Sequence, residues 1–346
     1  MSVSRLRIQG QLNEITNRDL RFEFTEADIF LNKIMQLNIS SEDVQTIQER
    51  TEGWVAGLHM AALFLGRQKK ISDFLSSFGG NHIHLSDYFM EEVIHRQPDH
   101  IQSFLYETAM LDRMCSSLCD AVTRTKNSGL ILEEIEKANL FVVPLDEQGK
   151  WFRYHHLFAE LLVAGLEKLD SRRLTQSHLR ASSWFETHHY ADEAIFHAMS
   201  AKDINRVTDL MEKFGADYLY RGKRKTVYRW LSLLPDTFIE NSIIFNIVHA
   251  WVIFPEKTPS TYRKAKARLK NAEILFLKNN RDKPLSKYFT NQQIQGFIMA
   301  LKVMIAREEG KKPEKIFALC GQAIKNLGEG VRGTGPSRVR CFSIWG

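Results

Sequence analysis

The chain has 346 residues, 44% of them hydrophobic and 25% charged, with a formal net charge of +6. That length accommodates two or three domains, and the composition is that of an ordinary soluble protein. No segment approaches the roughly 18 consecutive apolar residues that span a bilayer, and "MSVSRLRIQG" lacks the apolar core of a signal peptide, so a cytoplasmic protein without membrane association is expected.

Residues 5–24 contain two short extended stretches broken by Gly10 and by Asn17-Arg18-Asp19. Two such strands cannot form an independent sheet, so residues 1–24 read as the remnant edge of a larger domain. A helical domain is expected over 25–95. Its first helix, "FTEADIFLNKIM", has capping-box spacing at Thr25 and Asp28, and Ser40 and Asp43 repeat that spacing before the next. In the third, Val55, Leu58, Ala62 and Leu65 fall on one face.

Residues 96–170 hold three helices, the third, "SGLILEEIEKANL", capped by Ser128. Two strand-like runs follow, "FVVPL" and "KWFRYHH", joined by a polar turn with Gly149. The next helix has Leu157, Phe158, Leu161, Leu162 and Leu166 as its apolar face. Three helices and a β-hairpin in this order describe a winged-helix domain. From 171 to 328 the chain reads as stacked helical pairs, a tetratricopeptide-like superhelix with a concave face. The fold class expected is therefore mainly α. Residues 329–346, "GVRGTGPSRVRCFSIWG" with the preceding Glu329, are Gly-rich, basic and aperiodic, as though the reading frame or the gene breaks near residue 329.

Chemical motifs are sparse. No phosphate loop of the G-x-x-x-x-G-K-[ST] type is present, so ATP hydrolysis by this chain alone is not expected. Gly328, Gly330 and Gly333 match a dinucleotide fingerprint only formally, because a helix rather than a strand precedes them. Cys115 and Cys119, with His95 and His100 upstream, could be drawn as a zinc site, but two buried helix-face cysteines fit the spacing better; with Cys320 and Cys341 they are too scattered for a disulfide framework. Neither a G-x-S-x-G nor an H-E-x-x-H motif occurs. The basic runs "RGKRKTVYR" and "RKAKARLK" read as solvated helix faces. The third helix of the winged helix carries Glu133, Glu134 and Glu136 against Lys137, a balance that phosphates would repel. The pair His155-His156 stands where an extended run becomes a helix, and metal binding, base catalysis, a phosphate contact or plain packing would each use that position.

Several stretches together, "LRFEFTEADIFLN", "RTEGWVAGLHMAAL", "LEEIEKANLFVVPLDEQGKWFRYHHLFAELL" and "ASSWFETHHYADEAIFHAMSAKD" among them, resemble the MalT-like family of large ATP-dependent LuxR-type transcriptional regulators. The resemblance covers roughly residues 5–235. It implies a signal-transduction NTPase of the STAND class, with a nucleotide domain, helical domain, winged helix, sensor superhelix and C-terminal helix-turn-helix. ATP and ADP are the implied cofactors of the full-length family, with none for this chain alone. The implied partners are an inducer or protein on the concave face, other copies by self-association, and DNA only through the missing C-terminal domain. By the same resemblance His155 would face the nucleotide phosphate, and Gly53, Trp54 and Val55 would lie against the adenine, Val55 standing where the family has proline. A packed, hydrogen-bonded His155 at the wing junction remains the alternative.

Three functional readings compete. The first is the regulatory and sensor portion of such a regulator, non-catalytic on its own. The second is a stand-alone helical-repeat interaction module. The third is a DNA-binding winged helix whose wing would use Lys150 and Arg153.

Overall fold

The computed structural model describes residues 20–66, 94–138, 141–256, 258–278 and 284–327. The expected strands before residue 20, residues 67–93 of the expected helical domain and the aperiodic tail lie outside them. The described chain is mainly α-helical with one small hairpin, and it divides into two compact units, Met1–Trp184 and Phe185–Gly346.

In the first unit, α1 (Phe24–Asp28) runs into a π-helical segment, Ile29–Ile34. Its cap differs from the expected Thr25–Asp28 pair. Glu23 is the N-cap, and its backbone N–H donates to Glu26 Oε2 at 2.9 Å. The start is displaced because Phe22 N–H is held by Gly53 O at 2.8 Å, which fixes where the extended chain must turn. Asn32 then staples the following loop: its amide nitrogen donates to Asp28 and to Ile39 O, and its oxygen accepts from Ile39 N–H at 2.8 Å.

Helix α2 (Ser41–Thr51) starts at Ser40, whose Oγ accepts from Asp43 N–H at 3.2 Å and donates to the Asp43 carboxylate at 2.6 Å. It ends at Glu52 and Gly53, both left-handed, with φ of 53° and 67°. Helix α3 (Val55–Leu65) buries Leu58, Ala62 and Leu65, but Val55 is 39% exposed. As the first residue of the helix, Val55 precedes the turn on which the apolar stripe is built.

Helices α4 (Asp99–Thr108), α5 (Ser116–Thr123) and α6 (Ser128–Lys137) precede strands β1 (Val142–Pro144) and β2 (Phe152–Tyr154). Ser128 does not cap α6; it is the first helical residue, and Asp120 of α5 accepts its N–H at 3.0 Å. Cys119 is buried, whereas Cys115 is the half-buried N-cap of α5 and so lies outside the helix face assigned to it. The strands pair antiparallel, Val142 with Tyr154 and Pro144 with Phe152. Phe152 also bridges Met114 through two 2.8 Å hydrogen bonds. The turn is organised by Asp146, whose carboxylate accepts the N–H groups of Gln148, Lys150 and Trp151, with Gly149 at φ 61°. Tyr154 OH meets Thr108 Oγ1 at 2.8 Å, tying the hairpin to α4.

Helix α7 (His156–Thr187) breaks at Asp170, where φ is −157° and ψ 87°. Asp170 acts there as an internal N-cap, its Oδ1 accepting from Arg172 and Arg173 N–H, each at 3.1 Å. Arg173 then reaches back to Glu107 of α4.

The second unit contains α8 (Ala191–Ser200), α9 (Ile204–Tyr220), α10 (Arg224–Ser232), α11 (Asp236–Asn241), α12 (Ile243–Ile253), α13 (Pro259–Lys278), α14 (Asn291–Glu308) and α15 (Pro313–Leu327). Successive helices pair, α8 with α9, α12 with α13 and α14 with α15, and α12 also packs against α14. Ile247, Ala250, Leu269, Ile298 and Leu301 form the centre of one core. Gly296 lets α14 meet α15 closely: a Cβ there would lie 2.7 Å from Leu327 Cγ. Helix α11 is too short for a periodic signal. It is held by buried Asn246, whose amide donates to the carbonyls of Ile239, Glu240 and Ser242. Not all of "RKAKARLK" is solvated. Arg268 is buried and pairs with Asp236 and Glu240 on the α11 side, which supplies the countercharge that burial requires.

Each unit buries a histidine that burial holds well below its ordinary pKa of 6.5, at about 4: His178 in the first and His249 in the second. For His249 the nearby Lys264 and Arg268 add to the depression, and Asp236 opposes it. The unfolded chain takes up protons near pH 6.5 that the folded chain refuses until about 4. Stability should therefore be full above that window and fall as pH drops through it, by on the order of 1–3 kcal/mol per histidine. Urea unfolding at pH 7 and pH 5 checks this, and a His178→Leu, His249→Leu chain should lose most of the difference.

Candidate functional site

The left-handed turn between α2 and α3 presents Glu52 sideways, and strand β2 presents Arg153. Strand alternation explains the latter: Phe152 and Tyr154 face the core, so Arg153 points to the other side. The two meet across 101 residues of sequence as a two-pronged ion pair, Arg153 Nη1 to Glu52 Oε1 at 2.8 Å and Nη2 to Oε2 at 2.7 Å. Arg21 Nη2 lies 3.4 Å from Oε2. The first residue of α7 adds its backbone, His156 N–H donating to Oε1 at 3.4 Å. His155 is the residue before α7, anchored by its own N–H to Phe141 O at 2.9 Å. It is 8% exposed, and its Nδ1 sits 3.4 Å from Glu52 Oε2 without a hydrogen-bond partner of good alignment.

Trp54 closes the junction on one side. Its ring lies nearly parallel to His155, 15° apart with centroids at 6.4 Å, and edge-on to Phe141 at 4.5 Å. Phe141 in turn touches Phe158. Gly53 is required by geometry twice over: its φ is 67°, and a Cβ would stand 2.4 Å from Phe22 O.

The structure thus brings Gly53, Trp54, Arg153 and His155 to one place. Lys150 is not among them; it is exposed in the hairpin turn and tied through its N–H to Asp146. Val55 is adjacent in sequence but solvent-facing.

The residue that sequence reasoning missed is Glu52, on which the others converge. A carboxylate at a helix C-terminus opposes the helix dipole and is unfavourable there unless cations meet it. That misfit in "RTEGW" was the available signal. Burial resists ionisation of Glu52, but the hydrogen bonds from Arg153, with His155 close by, outweigh it and hold the carboxyl well below the usual range. The same hydrogen bonds raise Arg153 further, against partial desolvation.

Comparison with known proteins matches residues 90–174 to the MalT winged helix domain. The serine/threonine-protein kinase PknK of Mycobacterium tuberculosis is 31% identical over 263 residues, 75% of this chain and 24% of the kinase. The HTH-type transcriptional regulator MalT is 26% identical in Yersinia pestis and in Yersinia pseudotuberculosis, over 94% of this chain and 35% of each regulator. The chain therefore spans between a quarter and about a third of the length of these relatives. Among the described residues, no helix is long and apolar enough to cross a membrane.

Arg153→Ala would leave Glu52 half-buried and short of its main partner. A loss of about 2–3 kcal/mol is expected, reduced from the fully buried case because Arg153 keeps part of its side chain in water. Glu52 is depressed below its ordinary 4.5, so the difference between parent and variant should be constant above about pH 5 and shrink as pH falls below 4.5. Denaturant unfolding of both proteins across pH 3–7 measures it.

Proposed function

We propose, from the chain's membership of the MalT-like regulators, that it supplies the regulatory and sensor portion of an ATP-dependent LuxR-type transcriptional regulator and performs no catalysis itself. The observation that carries this reading is that one sequence segment recurs in a protein kinase and in a transcriptional regulator. The region shared with a protein kinase and with a helix-turn-helix regulator covers 24% and 35% of their lengths. We read the shared segment as a module common to both, so neither phosphotransfer nor promoter binding is assigned to it.

In this reading the helical domain runs over 25–95, the winged helix over 96–170 and the sensor helices over 171–328. His155 is the nucleotide-facing residue, with Gly53 and Trp54 beside it, and Val55, which the resemblance also names, follows Trp54 at the solvent-facing start of α3. A buried imidazole at a helix N-terminus is chemically suited to a phosphate, because backbone N–H groups and the dipole there favour anions. The helical pairs of the second unit would receive the inducer, a small molecule or a protein, and the location would be cytoplasmic. The acidic α6, with exposed Glu133, Glu134 and Glu136, disfavours DNA as a direct ligand of the winged helix.

Calorimetric titration with ADP and an ATP turnover assay test the proposal on the chain as it stands. No turnover and no ADP binding tighter than about 1 mM are expected. A micromolar dissociation constant for ADP, or ATP hydrolysis above background, would overturn it.

A further inference from the structure

We infer that the face of α7 carrying Arg173, Ser177 and Arg180, together with Arg124 at the end of α5, binds a phosphoryl dianion that braces the second half of α7 against α4 and α5. This place is separate from the junction around Glu52, and the inference does not rest on the proposed function.

Helix geometry gathers the residues. Positions 173, 177 and 180 have i, i+4, i+7 spacing, which puts them within about 60° of arc on one face. Contacts show where that face points. Arg173 Nη2 meets Glu107 Oε1 at 2.6 Å and also bonds Ser103, both on α4. Arg180 Nη1 donates to Val122 O of α5 at 2.6 Å, and its Nη2 donates to Gln176 at 3.1 Å. Arg124 closes α5 in a left-handed conformation, with φ of 60°. Exposure falls inward: Arg124 is exposed, Arg173 and Arg180 are half-buried, and Ser177 is fully buried.

Two donors on this face lack an acceptor. Ser177 Oγ and Arg180 Nε are both buried, and neither finds a hydrogen-bond partner among the described residues. Thr108, Thr175 and Ser183 turn their hydroxyls to the carbonyl four residues back, whereas Ser177 makes no such bond. Buried polar groups are nearly always paired, so two orphans one turn apart on the same stripe point to an acceptor supplied from outside the chain.

Charge names the class of ligand. The guanidiniums of Arg124 and Arg173 and the carboxylate of Glu107 act on Arg180, which makes three positive charges against one negative. Burial first, and then the charge of Arg124, lowers the Arg180 pKa; Glu107 opposes them and Arg173 adds to them. A phosphoryl dianion balances the excess of two, and its three oxygens suit guanidinium forks and a hydroxyl. A carboxylate brings one charge and would leave half of the excess. Because the donors come from both α5 and α7, and Arg173 is already tied to α4, the bound anion links three helices beyond the break at Asp170.

Inorganic phosphate and glycerol 3-phosphate are the probes, with sodium chloride at matched ionic strength as control. Thermal midpoint and calorimetric titration of the full chain compare the parent with Ser177→Ala, Arg124→Gln and a charge control, Arg172→Gln. The Arg172 side chain is exposed and starts about 100° round α7 from Arg173. Phosphate should raise the parent's midpoint beyond the chloride control. Affinity should fall at least about fivefold in Ser177→Ala and in Arg124→Gln, and by less than about twofold in Arg172→Gln. Without phosphate, Ser177→Ala should be at least as stable as the parent, because it removes an unpaired buried hydroxyl, so its loss of binding is not a folding defect. Tighter binding of the ester would identify a phosphorylated small molecule as the source, and tighter binding of the free ion would identify inorganic phosphate; both support the site. No response beyond chloride, equal weakening in Arg172→Gln, or binding that survives both Ser177→Ala and Arg124→Gln would overturn the inference.

Discussion

A half-buried carboxylate facing two guanidiniums governs the first unit. Glu52 is held at the end of α2 by a left-handed backbone, and Gly53 cannot yield because Phe22 O occupies the space a side chain would need. The carboxylate is therefore delivered to a fixed point, and Arg153 is delivered to the same point by the alternation of β2. Neither residue has a compensating choice. A charge placed there without its partner would sit partly out of water at the negative end of a helix, a situation that favours local opening over quiet repacking. The aromatic residues Trp54, Phe141, Phe158 and Tyr154 fill the space behind this pair, and they lower the local dielectric that makes the pair strong.

The second unit is built on a different principle. Its helices meet largely through branched aliphatic side chains, and several of its polar groups finish a turn or neutralise a neighbour. Asn246 closes α11 onto α12, Arg268 is buried among aliphatic residues with its charge answered by Asp236 and Glu240, and Asp192 takes both the Trp230 indole N–H at 2.7 Å and the Arg229 guanidinium at 2.6 Å. These are local solutions repeated from helix to helix, as expected of an array in which each element answers mainly to its neighbours.

That contrast explains what was legible in the sequence. Features set by near neighbours were readable: the Ser40 cap with Asp43 three residues on, the helix-spaced leucines of α7, and the polar turn with Gly149 between two strand-like runs. Features set by distant partners were not. The cap of α1 moved to Glu23 because Gly53 captures Phe22, Arg268 entered the core because Asp236 and Glu240 came to meet it, and Ser128 gave up its capping role because Asp120 reached its N–H from another helix. The candidate site was half legible. The resemblance pointed to His155, Gly53 and Trp54, while Glu52 stayed hidden because its role exists only when residues 101 apart are brought together. Lys150, grouped with Arg153 by sequence proximity, points elsewhere because a strand and a turn do not share a face.

The short hairpin has a consequence for how the chain behaves in a crowded solution. Strand β2 is hydrogen-bonded on both sides, to β1 on one and to Met114 on the other, so it offers no free ladder to another molecule. The outer margin of β1 is three residues long and ends in Pro144, which has no N–H to give. Among the described residues this is the whole of the sheet, and its exposed border is too short and too interrupted to template a foreign strand. A wing that presents side chains to its surroundings is in this way kept from presenting backbone, and edge-to-edge aggregation has no foothold there.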